Sequence, residues 1–184
     1  MTVMRLAHSL ICLAAFAVAA SAGLPAAAQE KASKMNGLAL SNDKPIQIES
    51  DNLELRDQEK RALFDGNVKV VQGTMTLTAQ HMIVYYKGKG NSLAAGGGDI
   101  DKIDVNDEVT LVSGTQTARG DIGSFDMRSE VLTLSGKSVV LVDGQNVLTG
   151  CKLTVQMKNG QANMGSCGGR VKILIDQASN KKTK

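Results

Sequence analysis

Few residues in this chain have reactive side chains. The 184 residues include three cysteines and two histidines, and His8 and Cys12 fall in an N-terminal segment treated below, which leaves His81, Cys151 and Cys167. Two sulfurs and one imidazole are too few to close a tetrahedral metal site. The sulfurs can instead bond to each other. Lys158-Asn159-Gly160 reads as a turn midway between them, and if Met157 pairs with Gln161 around it, Cys151 falls opposite Cys167, at the separation a cross-strand disulfide needs. A two-residue turn at Asn159-Gly160 would shift that register by one, and two free, buried cysteines are the alternative. His81, beside Gln80 in an alternating segment, has the pattern of a solvated strand histidine. No nucleophile, base and orienting group are recognisable together.

Two glycine-rich stretches also fall short of a site. Lys87-Gly88-Lys89-Gly90 lacks the Gly-x-x-x-x-Gly-Lys-Ser/Thr spacing of a phosphate loop. Gly96-Gly97-Gly98-Asp99-Ile100-Asp101 has the residue types of a calcium-binding solenoid turn, but it occurs once and its glycine spacing is wrong. Its acids, with Asp104, Asp107 and Glu108, read as solvating a loop and a strand edge. The expectation is a protein that is not an enzyme and carries no metal or cofactor.

The elements that would position these residues are strands. Between Ile46 and Tyr86 apolar and polar residues alternate: Ile46 and Ile48, Leu53 and Leu55, Val68 and Val70, then Met75, Leu77 and Ala79. A period of two places successive side chains on opposite faces. Asp65-Gly66-Asn67 and Gln72-Gly73-Thr74 separate the runs and read as tight turns. Short strands are expected at 46–49, 52–56, 61–65, 67–72, 74–79 and 81–86, and, after a glycine-rich loop at 87–98, at 99–105, 108–113, 115–119, 122–127, 130–134, 137–142, 146–149, 151–157, 161–165 and 170–175. No segment sustains helical spacing. The chain also repeats: the segments Gly66–Gly73, Asn106–Gly114 and Gly136–Gly144 share one strand-and-turn pattern, and each is followed by a small residue, Ala79, Gly120 or Gly150. A repeated strand–turn–strand unit buries little alone, so stacked copies must share one core. The fold class is all-β.

The N-terminus reads as an export signal. Arg5 precedes an apolar run from Leu10 to Ala20, and Ala26-Ala27-Ala28 fits a signal peptidase site, with Ala20-Ser21-Ala22 as a second. The run is short for a bilayer-spanning anchor. The expected organisation is a signal peptide at 1–28, a flexible leader at 29–44, one β-domain at 45–176 and a polar tail at 177–184. A net charge of +3 is too small to argue for nucleic acid, and Lys181-Lys182-Thr183-Lys184 reads as a solvated tail. Stacked hairpins leave two end strands with unpaired backbone groups, which another strand can extend. Their inner face, rich in Ile, Val, Leu and Met, is either a dry core or a cleft for acyl chains; flexible Met75, Met82, Met127 and Met157 suit the second.

Four segments carry a family resemblance. Pro45-Ile46-Gln47-Ile48-Glu49-Ser50-Asp51 resembles the opening of the OstA-like domain of the LptA family of lipopolysaccharide transport proteins. So does Phe64-Asp65-Gly66-Asn67-Val68-Lys69-Val70-Val71-Gln72-Gly73-Thr74, followed in order by Leu132-Thr133-Leu134-Ser135-Gly136 and Gly150-Cys151-Lys152-Leu153-Thr154-Val155. Each segment alone is ordinary β-turn chemistry; the order of the four, behind a signal sequence, gives the resemblance its weight. It covers residues 43 to 175. It implies a twisted β-jellyroll of stacked antiparallel hairpins, open at both ends, whose groove holds the acyl chains of lipopolysaccharide (lipid A) while the sugars face water. It also implies periplasmic copies joined head to tail, linking LptC at the inner membrane to LptD at the outer membrane and peripheral to both. Lipid-facing positions in the family fall on Ile46, Leu111, Phe125 and Met127, and the candidate set adds Ile48, Met75, Leu77 and Leu141. A cysteine pair and a long leader are departures from the family pattern. The competing expectations are an LptC-like protein, or another exported β-structural protein with a dry core.

Overall fold

The computed structural model describes Leu38, Leu40, residues 44–88 and residues 98–176. The expected signal peptide, the polar tail, most of the leader and the middle of the glycine-rich loop lie outside the described residues. The strands are β1 (Gln47–Glu49), β2 (Asn52–Arg56), β3 (Arg61–Gln72), β4 (Met75–Lys87), β5 (Asp99–Ser113), β6 (Gln116–Asp126), β7 (Val131–Asp143), β8 (Asn146–Gln156), β9 (Gln161–Gly165) and β10 (Lys172–Leu174). All join one ten-stranded antiparallel sheet in the order β1-β3-β4-β5-β6-β7-β8-β10, with β2 also on β3 and β9 also on β8. The two ends are alike: β3 carries β1 and β2 in series, and β8 carries β10 and β9 in series.

The hairpin turns follow from glycine. Gly73, Gly114 and Gly144 take φ of +61°, +58° and +60°, each opening a two-residue turn between the pairs Gln72↔Met75, Ser113↔Gln116 and Asp143↔Asn146. A two-residue hairpin turn with positive φ at its first position takes Gly there without strain.

The mid-strand interruptions are a correction to the sequence reading. Asp65-Gly66-Asn67 is not a turn: β3 runs through it, with a register shift between Asp65 and Val68. Matching shifts lie between Thr78 and His81, Asn106 and Val109, Arg119 and Ile122, and Ser135 and Val139. They form one seam across the sheet. The pairs expected at 61–65 and 67–72, 74–79 and 81–86, and 99–105 and 108–113 are each one long bulged strand. Positive φ at Gly66 (78°), Asn67 (48°), Asp107 (63°) and Glu108 (57°) serves a bulge as readily as a turn, so residue type alone does not separate them.

At this seam four repeats are pinned alike. The first residue of each unit links to the residue one past its strand partner. Asn67 Nδ2 donates to Asp51 Oδ2 at 2.8 Å, Gln80 Nε2 to Glu108 Oε2 at 2.9 Å, and the Lys137 amide to Asp121 Oδ2 at 2.8 Å. In the fourth unit the link is covalent, Cys151 to Cys167 with Cα atoms 5.9 Å apart. The separations are 16, 28, 16 and 16 residues; the longer one contains the glycine-rich loop.

The register around the disulfide also differs from the expectation. Gln156 pairs with Gln161 and Lys152 with Gly165, so the turn spans 157–160 and the ladder's continuation puts Ser166, not Cys167, opposite Cys151. Cys167 reaches the sulfur from a left-handed conformation, φ 44°, just beyond β9. Leu38 and Leu40 are a second difference: assigned to a flexible leader, both are buried in the same apolar cluster as the sheet interior.

Candidate functional site: an apolar trough crossing the sheet

Strand register turns the alternation into continuous rows. On one side of the seam the paired positions run Leu53, Phe64, Met82 and Val105, then Gly123, Leu134, Leu153 and Met164. Two residues along, they run Leu55, Ala62, Val84 and Ile103, then Phe125, Leu132, Val155 and Ala162. Beyond the seam a third row runs Ile48, Val70, Leu77 and Leu111, then Ala118, Leu141, Leu148 and Ile173. Directly opposed residues in an antiparallel pair share a face, so each row is a stripe of apolar side chains perpendicular to the strands. Members of all three rows pack in one buried cluster, so the rows on the two sides of the seam face each other; this packed apolar interior, running across the strands, is the trough.

The trough differs between its middle and its ends. Leu77, Leu111, Leu134 and Phe125 are at most 1% exposed; the central strands shed water against each other. At the N-terminal edge Leu53 and Leu55 are 55% and 37% exposed, and at the C-terminal edge Ile173 is 59% exposed. The apolar rows thus continue into open ends. A cleft of about 500 Å³ lies at the N-terminal edge, lined by Leu53, Leu63, Phe64, Asp65, His81 and Met82 among others.

One lip of the trough is polar. Next to the hairpin turns the inward positions are Gln72, Met75, Ser113 and Gln116, followed by Asp143 and Asn146. Gln72, Ser113 and Gln116 are buried. Gln116 Nε2 donates to Asp143 Oδ2 at 3.2 Å, and Thr115 Oγ1 donates to Asp143 Oδ1 at 3.1 Å. The carboxylate fixes the amide's orientation and leaves the buried Gln116 Oε1 with no partner. The sequence reading missed this lip, although Gln72, Ser113 and Gln116 all flank Gly-Thr turns and share parity with the apolar run beside them.

The opposite ends of the strands carry ion pairs. Asp101 accepts from Lys87 Nζ at 2.6 Å and from Arg128 Nη2 at 2.9 Å; these hydrogen bonds, Lys87 first, hold its carboxyl below the usual carboxylate range. Asp126 is held below its usual range by the Ser129 amide first and Arg128 further down. His81 is not merely solvated: Nδ1 lies 2.5 Å from Asp65 Oδ1 and Nε2 lies 3.8 Å from Asp107 Oδ2. The short contact to Asp65 links β3 and β4 at the seam, and Asp107 from β5 lies on the ring's other side.

The candidate lipid-facing residues come together. Met75, Leu77, Leu111, Phe125 and Leu141 are buried in the cluster, and Ile46, Ile48 and Met127 are partly buried against it. Leu38, Leu40, Leu53 and Leu55 join or extend the trough without having been singled out. The two leucines of β2 alternated visibly, but their exposure depends on their place in an edge strand.

Comparison with known proteins adds to this geometry. A solved structure with the same fold is LptH, described as the LptA homologous periplasmic component of the conserved lipopolysaccharide transport device from Pseudomonas aeruginosa; the TM-score is 0.62 at 17% identity, covering 73% of this chain and 97% of that one. An uncharacterised protein of Rhizobium meliloti (strain 1021) is 52% identical over 156 residues, covering 85% of this chain and 84% of that protein. A Rhizobium etli protein encoded beside an rpoN-linked probable transport protein is 61% identical over 44 residues, 24% of this chain and 82% of its own length. The family described as LptA/(LptD N-terminal domain) LPS transport protein matches residues 47–161. Spanning β1 to β8, and with them all but the last member of each apolar row, that match places the chain in the LptA/LptD N-terminal domain family of lipopolysaccharide transport proteins.

Proposed function

We propose that this protein is a periplasmic carrier of lipopolysaccharide that shelters lipid A acyl chains in the trough while the sugars remain in water. It acts without making or breaking a bond. Copies dock edge to edge, and the ends of the series meet the related domains of LptC and LptD, so that the assembly is peripheral to both membranes. The observation that carries this reading is the continuity of the apolar rows from one sheet edge to the other, with exposed Leu53 and Leu55 at one and exposed Ile173 at the other. Sheet edges joined by strand addition would make those rows continuous between subunits. The polar lip suits an amphiphile, whose ester, amide and hydroxyl groups lie beside its hydrocarbon.

Magnitudes make the reading physically reasonable. Burying a methylene is worth about 0.8 kcal/mol, so a twelve-carbon chain gains roughly 10 kcal/mol. That gain must exceed the cost of parting rows that are packed together in the unliganded trough. The near-complete burial of the central residues favours a second reading: the same stackable fold with a dry interior.

Photo-crosslinking separates the two. A photoreactive residue at Phe125, with purified lipopolysaccharide, is expected to give lipid adducts well above those from the same probe at exposed Lys158. Equal yields at the two positions would remove the lipid reading. In the parent cell, depletion is expected to cause periplasmic build-up of lipopolysaccharide, and normal surface display after depletion would contradict the assignment.

A further inference from the structure

The fourth seam link differs from the other three in chemistry, and its place gives that difference a consequence. The first three are hydrogen bonds between polar groups; the fourth is a disulfide between Cys151 in β8 and Cys167 just past β9. It sits where the last edge strand is interrupted. At the N-terminal edge only Ser50 and Asp51 separate β1 from β2, whereas at the C-terminal edge residues 166–171 separate β9 from β10. A longer connection leaves the register of the second piece less determined by the first. Beyond the β8 ladders and the hydrogen bond from the Asp176 amide to Asn146 Oδ1, side-chain packing adds little to hold this edge. Residues 161–163 and 166–175 are exposed, and Met164 is the side chain of β9 that packs on the core cluster.

We infer that the Cys151–Cys167 disulfide is a redox-sensitive fastener of the C-terminal docking edge, an inference that rests on the edge-to-edge reading above. Oxidised, it anchors the break between β9 and β10 to β8, so both pieces present their outer backbone groups in one line to the incoming strand of a second copy. Cys167 is exposed and Cys151 half-buried, so Cys167 is the sulfur open to attack. A dithiol reductant attacks Cys167 Sγ, the S–S bond breaks and Cys151 leaves as a thiolate that takes up a proton. The reductant's second thiol then resolves the mixed disulfide and frees Cys167. The protein gains two electrons and two protons, and the dithiol becomes a disulfide. With the fastener open, the edge loses its template and end-to-end association at this end is lost.

The test compares the full chain before and after a dithiol, by hydrogen exchange over residues 161–174 and by sedimentation. Reduction is expected to speed exchange there by ~100-fold, the scale of the loop constraint removed, and to abolish concentration-dependent association. Cys151→Ser with Cys167→Ser should behave as the reduced protein. Cys151→Asp with Cys167→Asn, which installs the polar pair of the first unit, should restore part of the protection and make the edge indifferent to reductant. Exchange within twofold in the oxidised and reduced states would overturn the fastener. Exchange that rises while association persists would overturn its control of docking. If neither state associates, the edge-to-edge reading itself fails, and the exchange result still decides whether the disulfide fastens the edge.

Discussion

Asp101 illustrates what single residues contribute on the outer side of the fold. It binds both Lys87 at the end of β4 and Arg128 in the turn after β6, so it joins the base of the glycine-rich loop to the neighbouring hairpin. Its carboxyl is held below its usual range by those hydrogen bonds. A depressed folded-state value means the stabilisation is present above the unfolded carboxylate's range, near pH 4, and is lost as pH falls through the folded value. Asp101→Asn is therefore expected to lower the melting temperature at pH 6 slightly and to flatten its decline between pH 5 and 2. Parallel declines for variant and parent would show that the pair contributes nothing. At this scale the sequence was informative about faces and silent about partners. Alternation identified Met75 and Leu77 as inward, because a strand permits only two directions, and the family resemblance pointed to Phe125. It did not reveal that His81 would face Asp65 and Asp107, since those acids come from adjacent strands.

At the level of elements, turns and bulges use the same residues for different ends. Gly73 and Gly66 both precede polar residues and both have positive φ, yet one reverses the chain and the other offsets it. What separates them is the partner strand: Gln72 and Met75 pair across Gly73, while Asp65 and Val68 both continue pairing with β4. Pairing partners are not written locally, so the reading broke long strands at their bulges while locating most of their residues. The register at Cys151 failed for a related reason, because a four-residue and a three-residue turn were equally compatible with Lys158-Asn159-Gly160. Bulge glycines are expected to be less replaceable than turn glycines. A Cβ at Gly136 would lie 2.6 Å from Asp121 Oδ2 and 2.8 Å from the Asp121 backbone nitrogen, whereas one at Gly73 meets nothing within 4 Å. Gly136→Ala should therefore cost up to about 3 kcal/mol as an overpacked site, against a smaller cost, upwards of about 1 kcal/mol, for the positive φ of the uncrowded Gly73→Ala. Urea unfolding of the two variants measures both, and an equal or larger cost at Gly73 would contradict the seam's importance.

The whole molecule behaves as a stack of units related by the seam links at Asp51, Gln80, Asp121 and Cys151. The repetition among the strand-and-turn segments was legible in the sequence; the links that define each unit were not, because two are side-chain hydrogen bonds, one ends on a backbone amide and one is a disulfide. Stability in such a stack is carried by neighbouring interfaces, so a complete unit can be removed if the row register survives. The unit containing the glycine-rich loop offers that case. Removing residues 79–119 joins Thr78 to Gly120 and removes two strand reversals, so every later strand keeps its direction. Gly120 then takes the place of Ala79, and Gly123 takes that of Met82 beside Phe64, so both substitutions at the junction reduce volume. Gly120 and Gly123 also stay beneath Leu134, where a Cβ would lie 2.8 Å and 3.5 Å from its side chain. The shortened chain is expected to keep its strand signal in circular dichroism and to unfold in one transition at a lower temperature. Its trough should be shorter by two strand spacings, ~10 Å, in solution scattering. A disordered product would show that the central unit is not exchangeable and that the trough folds as one body. A folded, shortened product that still captures lipid at Phe125 would indicate that carriage depends on the continuity of the rows and not on their number.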